Sequence, residues 1–413
     1  MKRCAPSIAL VLFALNGCNH HRNKNVVPLK DWNESRAQAN SLPINVQLKQ
    51  TGSDALGQQN IHEEKRESDV GPIAVTPVIA SAACTGPRLG IYSWDQQMSW
   101  RTPDSPLIKH LSSKNAKSNT CGDVTVNVAD FSNAHKIYNS EVLVPFIENV
   151  RRAGNDGTVY LSYGDVKTKN VTAARMFIDT FFDWVATVPR EKAQKIAPLG
   201  VSFDIEHFPV GRIEILLKHA QSRKQALSNF PIGSVLIQWT IEGRINPVDT
   251  DAVMRYADSA LMMAYRNYMS KPGDETGAKN GLLRRLNYML REQCSKCLVD
   301  DYAKKYYKAK ITVMVESACN VDEYCDRLSF CAFDGPGNRG GVGYLHSTLQ
   351  MLDAALVSSG LLTSEQKSRL FNMRAPYSVH HWEWFQCYYQ DPSDTNSLCN
   401  EYHGLAATCR GSL

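Results

Sequence analysis

The chain has 413 residues, of which 43% are hydrophobic and 21% charged, and carries a formal net charge of +5. This is ordinary globular chemistry, and it excludes a collagen-like, coiled-coil or wholly disordered chain. Spread over such a length, the charge is too weak to mark a nucleic-acid partner, and none is expected.

The first segment reads as an address. Lys2 and Arg3 precede the apolar run Ile8–Leu15 and then Asn16-Gly17-Cys18. A basic start, a short apolar core and a small residue before the cut describe a secretory signal peptide over 1–18. The run is too short to span a bilayer permanently. Cys18 stands where a bacterial lipobox places its lipidated cysteine, although Asn16 sits where a smaller residue is usual. A lipid anchor at Cys18 and plain cleavage with release are both open. The expected location is therefore secreted or lipid-anchored at the cell envelope. No other segment is long and apolar enough for a transmembrane helix. Residues 19–84 have one aromatic, Trp32, and many Asn, Gln, Ser and Lys. Such a stretch cannot bury enough apolar surface to offset its ordering entropy, so a disordered linker is expected.

Ten cysteines follow, from Cys84 to Cys409. An even count in an exported chain reads as disulfides. Cys294-Ser-Lys-Cys297 admits half a zinc site or a redox pair, but no second CxxC with matching spacing follows, and a disulfide is the favoured reading. Cys387, Cys399 and Cys409 crowd the end of the chain, where they would staple the tail to the body. Asn33-Glu-Ser35 and Asn170-Val-Thr172 fit glycosylation sequons, which matter only in a eukaryotic source.

From 85 onward strands and helices alternate. Eight short apolar or alternating runs are expected as strands: Leu89–Trp94, Val124–Phe131, Thr158–Tyr163, Gly200–Glu206, Ser234–Ile241, Ser259–Tyr265, Ile311–Glu316 and Tyr377–Trp384. Helical patterns lie between most of them. Ser140 is expected to cap Glu141–Arg152, and Thr172 a helix running to Val188. Others cover Gly211–Leu227, Asp251–Tyr256, Gly281–Glu292, Leu345–Ser358 and Ser364–Met373. Eight alternations make this an α/β chain with the pattern of a (β/α)8 TIM barrel over 85–413. A doubly wound sheet lacks its cue, since no Gly-rich fingerprint follows the first strand.

In a barrel the chemistry sits at the C-terminal strand ends. The fourth strand reads Gly200-Val-Ser202-Phe-Asp204-Ile-Glu206-His207. Alternation puts Ser202, Asp204 and Glu206 on one face and Val201, Phe203 and Ile205 on the other. The polar set is expected to point into the barrel mouth. Two carboxylates on one face repel, and one then tends to hold the proton that a general acid needs. His207 faces the other way and reads as a packing or loop residue. His380 and His381 have no third metal ligand at a suitable spacing, so no metal or other cofactor is expected. Tyr163 and Trp94, aromatics near the ends of their strands, are candidate platforms for a ligand. Trp239 and Glu242 could line the cleft, with core packing an equal reading for Trp239. Phe181, Phe182 and Trp184 read as core.

The fourth strand resembles the active-site strand of glycoside hydrolase family 18, the chitinases and endo-β-N-acetylglucosaminidases, whose pattern is D-G-x-D-x-D-x-E. Gly200, Asp204 and Glu206 match it; Leu199 and Ser202 replace its first and second Asp. Ser162-Tyr-Gly164 is similar to the family's S-x-G-G, with Asp165 as its last residue. Met263-Ala-Tyr265-Arg266 resembles M-x-Y-D/N, with Arg266 departing. Asn127-Val-Ala129-Asp-Phe131 is similar to N-x-A-F with one residue inserted, and Trp382-Glu-Trp384 lies where the family places a Trp under the sugar. The resemblance covers roughly residues 88 to 390, strand by strand, and is that of a distant member.

The resemblance implies substrate-assisted, retaining hydrolysis of β-1,4-linked N-acetylglucosamine, in chitin-like polymers or N-glycan cores. This family is an exception to the two-carboxylate rule. Glu206 would act as acid and base, Asp204 would hold the acetamide N–H, and Tyr265 its carbonyl. Trp384 or Trp382 would form the floor. Ser202, Ser162, Tyr163, Arg266, Trp94 and Glu316 complete the expected binding set. The partner is an oligosaccharide or polysaccharide with N-acetylglucosamine, and the protein is expected to be a monomer. Two other readings stand beside this one. Glu316 ends the seventh strand, so Glu206 and Glu316 could form a conventional acid and nucleophile pair. Alternatively the scaffold binds sugar without cleaving it.

Overall fold

The computed structural model describes residues 88–94, 100, 105–112, 121–165, 169–206, 208–243, 245–264, 282–317 and 342–380. The leader with Cys18, the linker, and the C-terminal cysteines lie outside the described residues. All described residues belong to Thr76–Leu413, the second of two units into which the chain divides.

Eight parallel strands close into one barrel in sequence order. They are β1 (Leu89–Ser93), β2 (Val124–Asp130), β3 (Val159–Asp165), β4 (Leu199–Ile205), β5 (Val235–Ile241), β6 (Ser259–Met263), β7 (Lys310–Glu316) and β8 (Tyr377–His380). β1 pairs with β8, with Leu89 beside Tyr377 and Ile91 beside Val379, and this closes the ring. The (β/α)8 barrel expected from the alternation is therefore the fold. The helices between strands are α1 (Pro106–Ser112), α2 (Ser140–Arg152), α3 (Val171–Thr187), α4 (Arg190–Ile196), α5 (Arg212–Gln225), α6 (Pro247–Tyr256), α7 (Leu282–Tyr288), α8 (Asp300–Tyr306), α9 (Val342–Ser358) and α10 (Ser364–Leu370). A π-helical turn, Met289–Gln293, continues α7. None of the described helices is long and apolar enough to cross a membrane.

Several helix starts differ from the sequence reading. Ser140 is the first helical residue rather than the cap; Asn139 precedes it with φ 49°. Thr172 lies inside α3, and Asn170 is the cap, its side chain accepting from the N–H groups of Thr172 and Ala173. Short amide side chains compete well for those two orphan donors. α6 starts four residues before the expected Asp251, because Asn246 caps it and Pro247 fits the first turn without a lost hydrogen bond. The short helices α1, α4 and α8 carry too few turns to show a period, and they were not expected.

Outward-facing residues of the strands pack beneath the helices. Phe203 stacks on Trp239 at 5.1 Å between ring centroids, and Phe177 of α3 meets Phe203 edge-on at 6.2 Å. Each such buried ring contributes about 1.5–3 kcal/mol. Trp239 is fully buried here, which makes it core and not cleft. Phe181 and Phe182 are buried in the same layer, with Trp184 packed against it. A second, smaller cluster of Tyr92, Leu261, Met263 and Met314, with Trp94 against it, fills the inside of the barrel.

Candidate active site

The polar side chains inside the barrel follow from strand alternation. On β4, Ser202 pairs in register with Ser162 of β3 and Gln238 of β5, and Asp204 with Gly164. The Ser202 hydroxyl donates to Gln238 Oε1 at 2.9 Å, and Gln238 Nε2 donates to Ser259 Oγ at 3.1 Å. This neutral chain ties β4, β5 and β6 together. Tyr92 Oη and Ser162 Oγ lie 2.6 Å apart, spanning from β1 to β3 across the interior.

Asp204 is buried and Glu206, one residue beyond the strand, is half-buried. Their strand positions put both on the face of Ser202. The Glu206 backbone N–H donates to Asp165 O at 3.3 Å, extending the β3–β4 ladder one step past the strand. The two carboxylates of β4 thus differ in depth, with Asp204 enclosed and Glu206 partly accessible.

Gly164 allows a close approach at this point. A Cβ there would lie 2.9 Å from the Trp94 ring and 3.1 Å from Asn127 Nδ2. The indole of Trp94 therefore lies over the strand position that pairs with Asp204. Its N–H donates to His380 Nε2. His380 Nδ1 is 2.6 Å from Glu316 Oε2, and Glu316 Oε1 accepts from the Ser317 N–H at 2.9 Å. His380 and Glu316 are both buried, and Trp94 is half-exposed.

Tyr163 needs a correction. Its ring is fully buried, stacked on Phe177 at 5.2 Å between β3 and α3, with its hydroxyl 3.5 Å from Asp165 Oδ2. Alternation sends Tyr163 outward when it sends Ser162 inward, so it offers no platform to a ligand in the mouth. Burial first, and the Asp165 carboxylate second, hold its phenol well above the usual range. Tyr265, Arg266, Trp382, Trp384, His207 and His381 lie outside the described residues.

The sequence reading missed Tyr92 and the polar pair Gln238 and Ser259, and weighed His380 only as a metal ligand. His380 carried a signal, since it ends β8 beside Glu316 at the end of β7 in the register. Another missed feature supports the mouth from outside. Buried Arg285 of α7 donates to Met263 O at 3.1 Å and to Gln293 Oε1 at 2.6 Å. Gln293 Nε2 in turn reaches the carbonyls of Glu242, Gly243 and Ile245 at 3.0, 2.9 and 3.2 Å. The next residue, Cys294, forms a disulfide with Cys297, as expected from the CxxC spacing. Among the described residues no group of His, Cys, Asp and Glu is arranged to hold a metal ion.

No protein-family model matches the sequence, and no curated protein does. Several solved structures are similar at low identity. A xylanase and α-amylase inhibitor protein in complex with trehalose is 12% identical with a TM-score of 0.42, over 72% of this chain and 94% of that one. A family 18 chitinase from Pseudoalteromonas aurantia is 12% identical with a TM-score of 0.36, over 78% and 99%. A family 18 chitinase from Cycas revoluta in complex with (GlcNAc)3 is 11% identical with a TM-score of 0.38, over 71% and 94%. Likeness of this strength carries no functional argument, so the chemistry has to come from the side chains.

Proposed function

We propose that the chain is an exported glycoside hydrolase acting on β-1,4-linked N-acetylglucosamine by substrate-assisted, retaining hydrolysis. The observation that carries the reading is β4: a buried Asp204 and a half-buried Glu206 on one face at the C-terminal mouth of a closed barrel. Glu206 is accessible enough to protonate a glycosidic oxygen. The acetamido oxygen of the sugar then attacks its own anomeric carbon, and the bond to the leaving sugar breaks. Asp204 accepts the acetamide N–H and offsets the positive charge of the oxazolinium ring. Glu206, now a base, takes a proton from water as the water opens that ring, which restores both carboxyl groups and keeps the anomeric configuration. Tyr265, with Trp382 or Trp384, completes this proposal as the acetamide partner and the floor. The leader residues support export, with an anchor at Cys18 as one route.

A pairing of Glu206 with Glu316 has less support, because both Glu316 oxygens already accept hydrogen bonds. A non-catalytic sugar-binding protein is favoured by one observation. Ser202 is bonded to Gln238 and brings no second acid to Asp204. Hydrolysis of fluorogenic di- and tri-N-acetylchitooligosaccharides decides between them. The expected result is turnover that falls about 10²–10⁴-fold in Glu206→Gln, the usual scale of a lost general acid. Binding without turnover in the parent protein would establish the lectin-like reading instead.

A further inference from the structure

We infer that Glu316 and His380 form a positioning pair that holds the Trp94 indole across Gly164 as an aromatic wall of the sugar cleft. The inference rests on the glycan reading above and assigns the pair a task in it.

The hydrogen bonds fix their own direction. An indole N–H is a donor only, so His380 Nε2 has to accept. A neutral imidazole carries its one proton on the other nitrogen, so Nδ1–H donates to Glu316 Oε2 at 2.6 Å. Glu316 is itself held, since Oε1 accepts from the Ser317 N–H, and the Ser317 hydroxyl donates to His380 O at 2.7 Å. The order is Ser317, Glu316, His380, Trp94, running from the ends of β7 and β8 to the residue after β1. Tyr92 packs under both rings, at 5.0 Å from Trp94 and 5.5 Å from His380, and the two upper rings meet edge-on at 5.6 Å.

Burial assigns the roles. Glu316 and His380 are 1% and 2% exposed, whereas Trp94 is half-exposed. Only the indole reaches a ligand; the other two act through it. Its place over Gly164 puts it beside the strand position of Asp204. Aromatic faces there pack against the apolar face of a pyranose. A carboxylate and an imidazole are costly fillers for a barrel interior unless hydrogen-bonded. Simple packing is met more cheaply by apolar side chains, such as the neighbouring Met314 and Leu261.

The test combines a spectroscopic signature with a binding cycle. In 15N-labelled protein at neutral pH, His380 should carry its proton on Nδ1. The Trp94 indole resonance, identified by its loss in Trp94→Phe, should shift in His380→Ala. Affinity for tri-N-acetylchitotriose should fall about three- to tenfold in Trp94→Ala and in His380→Ala, the scale of an aromatic contact. The double variant should be no weaker than either single one. His380→Gln, which offers the indole a new acceptor, should recover part of the loss. A proton on Nε2 overturns the pair, as does an equal loss from His380→Ala whether Trp94 is present or replaced. Should Trp94→Ala not fold, Trp94→Phe takes its place in the cycle, since it removes the N–H and keeps a ring. A parent protein that binds no chitotriose overturns the wall together with the glycan reading, while the resonances still report whether the pair orients the ring.

Discussion

Two glycines show why particular residues sit where they do. Gly200 matches the glycine of the family pattern, and its physical reason is the Tyr160 ring: a Cβ at 200 would lie 2.4 Å from it and 3.0 Å from Leu236 O. Tyr160 is fully buried, with no room to retreat. Gly164 differs, because its nearest neighbour, the Trp94 ring at 2.9 Å, is only half-buried, while buried Asn127 at 3.1 Å has to give by only a few tenths of an ångström. Gly200→Ala is therefore expected to lose about 1–3 kcal/mol of stability, the range of core overpacking. Gly164→Ala should lose less stability but displace Trp94, lowering chitotriose affinity with the fold intact. Denaturant unfolding and calorimetric titration of both variants check this pair. A Gly200→Ala protein as stable as its parent would contradict the close approach. At this scale the sequence was readable where alternation was applied. It put Ser202 and Asp204 inside correctly, and the same rule on β3 would have sent Tyr163 outward. The chain from Trp94 to His380 was not readable. Its members are 286 residues apart and meet only because β1 closes on β8.

The elements were legible in proportion to their length and period. All eight strands lie where apolar or alternating runs predict, and long helices such as α2, α3 and α5 show their periodic faces. Helix ends were less so, because a cap is one side chain with several candidates nearby, as Asn170 and Thr172 show. The clamp after α7 was invisible, since Gln293 is an ordinary polar residue until the fold brings it to the loop after β5. Its Nε2 has two hydrogens shared among three buried carbonyls, and its Oε1 accepts from buried Arg285. Gln293→Leu thus removes the acceptor of one buried Arg285 N–H and the shared donor of the three carbonyls. We expect a loss of about 3 kcal/mol, with one to three for each unsatisfied buried group. Asn170→Ala, which removes one exposed cap, should lose only about 1 kcal/mol. The two differ in kind as well: hydrogen exchange should quicken around Glu242, Gly243 and Ile245 in Gln293→Leu and only in the first turn of α3 in Asn170→Ala. Equal effects would mean that the clamp contributes nothing beyond a surface bond.

Across the whole molecule, the two ends of the barrel do different work. The mouth carries the candidate chemistry, and the opposite, N-terminal end carries a charged plug. There Arg151 donates to the carbonyls of Asn155, Gly157, Ile196 and Pro198, tying the approaches to β3 and β4 together. Asp123, just before β2, accepts from the Thr158 N–H at 2.8 Å. Burial pushes its carboxyl up to about 6 from 3.8, against the opposing pull of that bond, Arg374 and Arg151. Buried His110 of α1 is pushed down to about 4 from 6.5. These groups act on stability with opposite signs. His110 is held neutral by the fold, so its contribution is complete above pH 6.5 and is lost as pH falls toward 4. Asp123 is favoured protonated, so its cost is complete above pH 6 and is relieved as pH falls toward 3.8. Each amounts to about 3 kcal/mol, and between pH 6 and 4 they oppose one another. Single variants should separate them. Relative to the parent, Asp123→Asn should be more stable at pH 7, by an amount that shrinks toward pH 4. His110→Gln should be less stable at pH 7, by an amount that also shrinks toward pH 4. Guanidinium unfolding midpoints across that range give both differences, and groups common to parent and variant drop out of each. A difference that stays constant with pH would show that the residue does not titrate between folded and unfolded states. The Arg374–Asp156 pair at 2.6 Å acts in the usual carboxylate sense: Arg374 holds that carboxyl below its ordinary range, so the stability it adds is present above pH 3.8 and is lost only as pH falls below it.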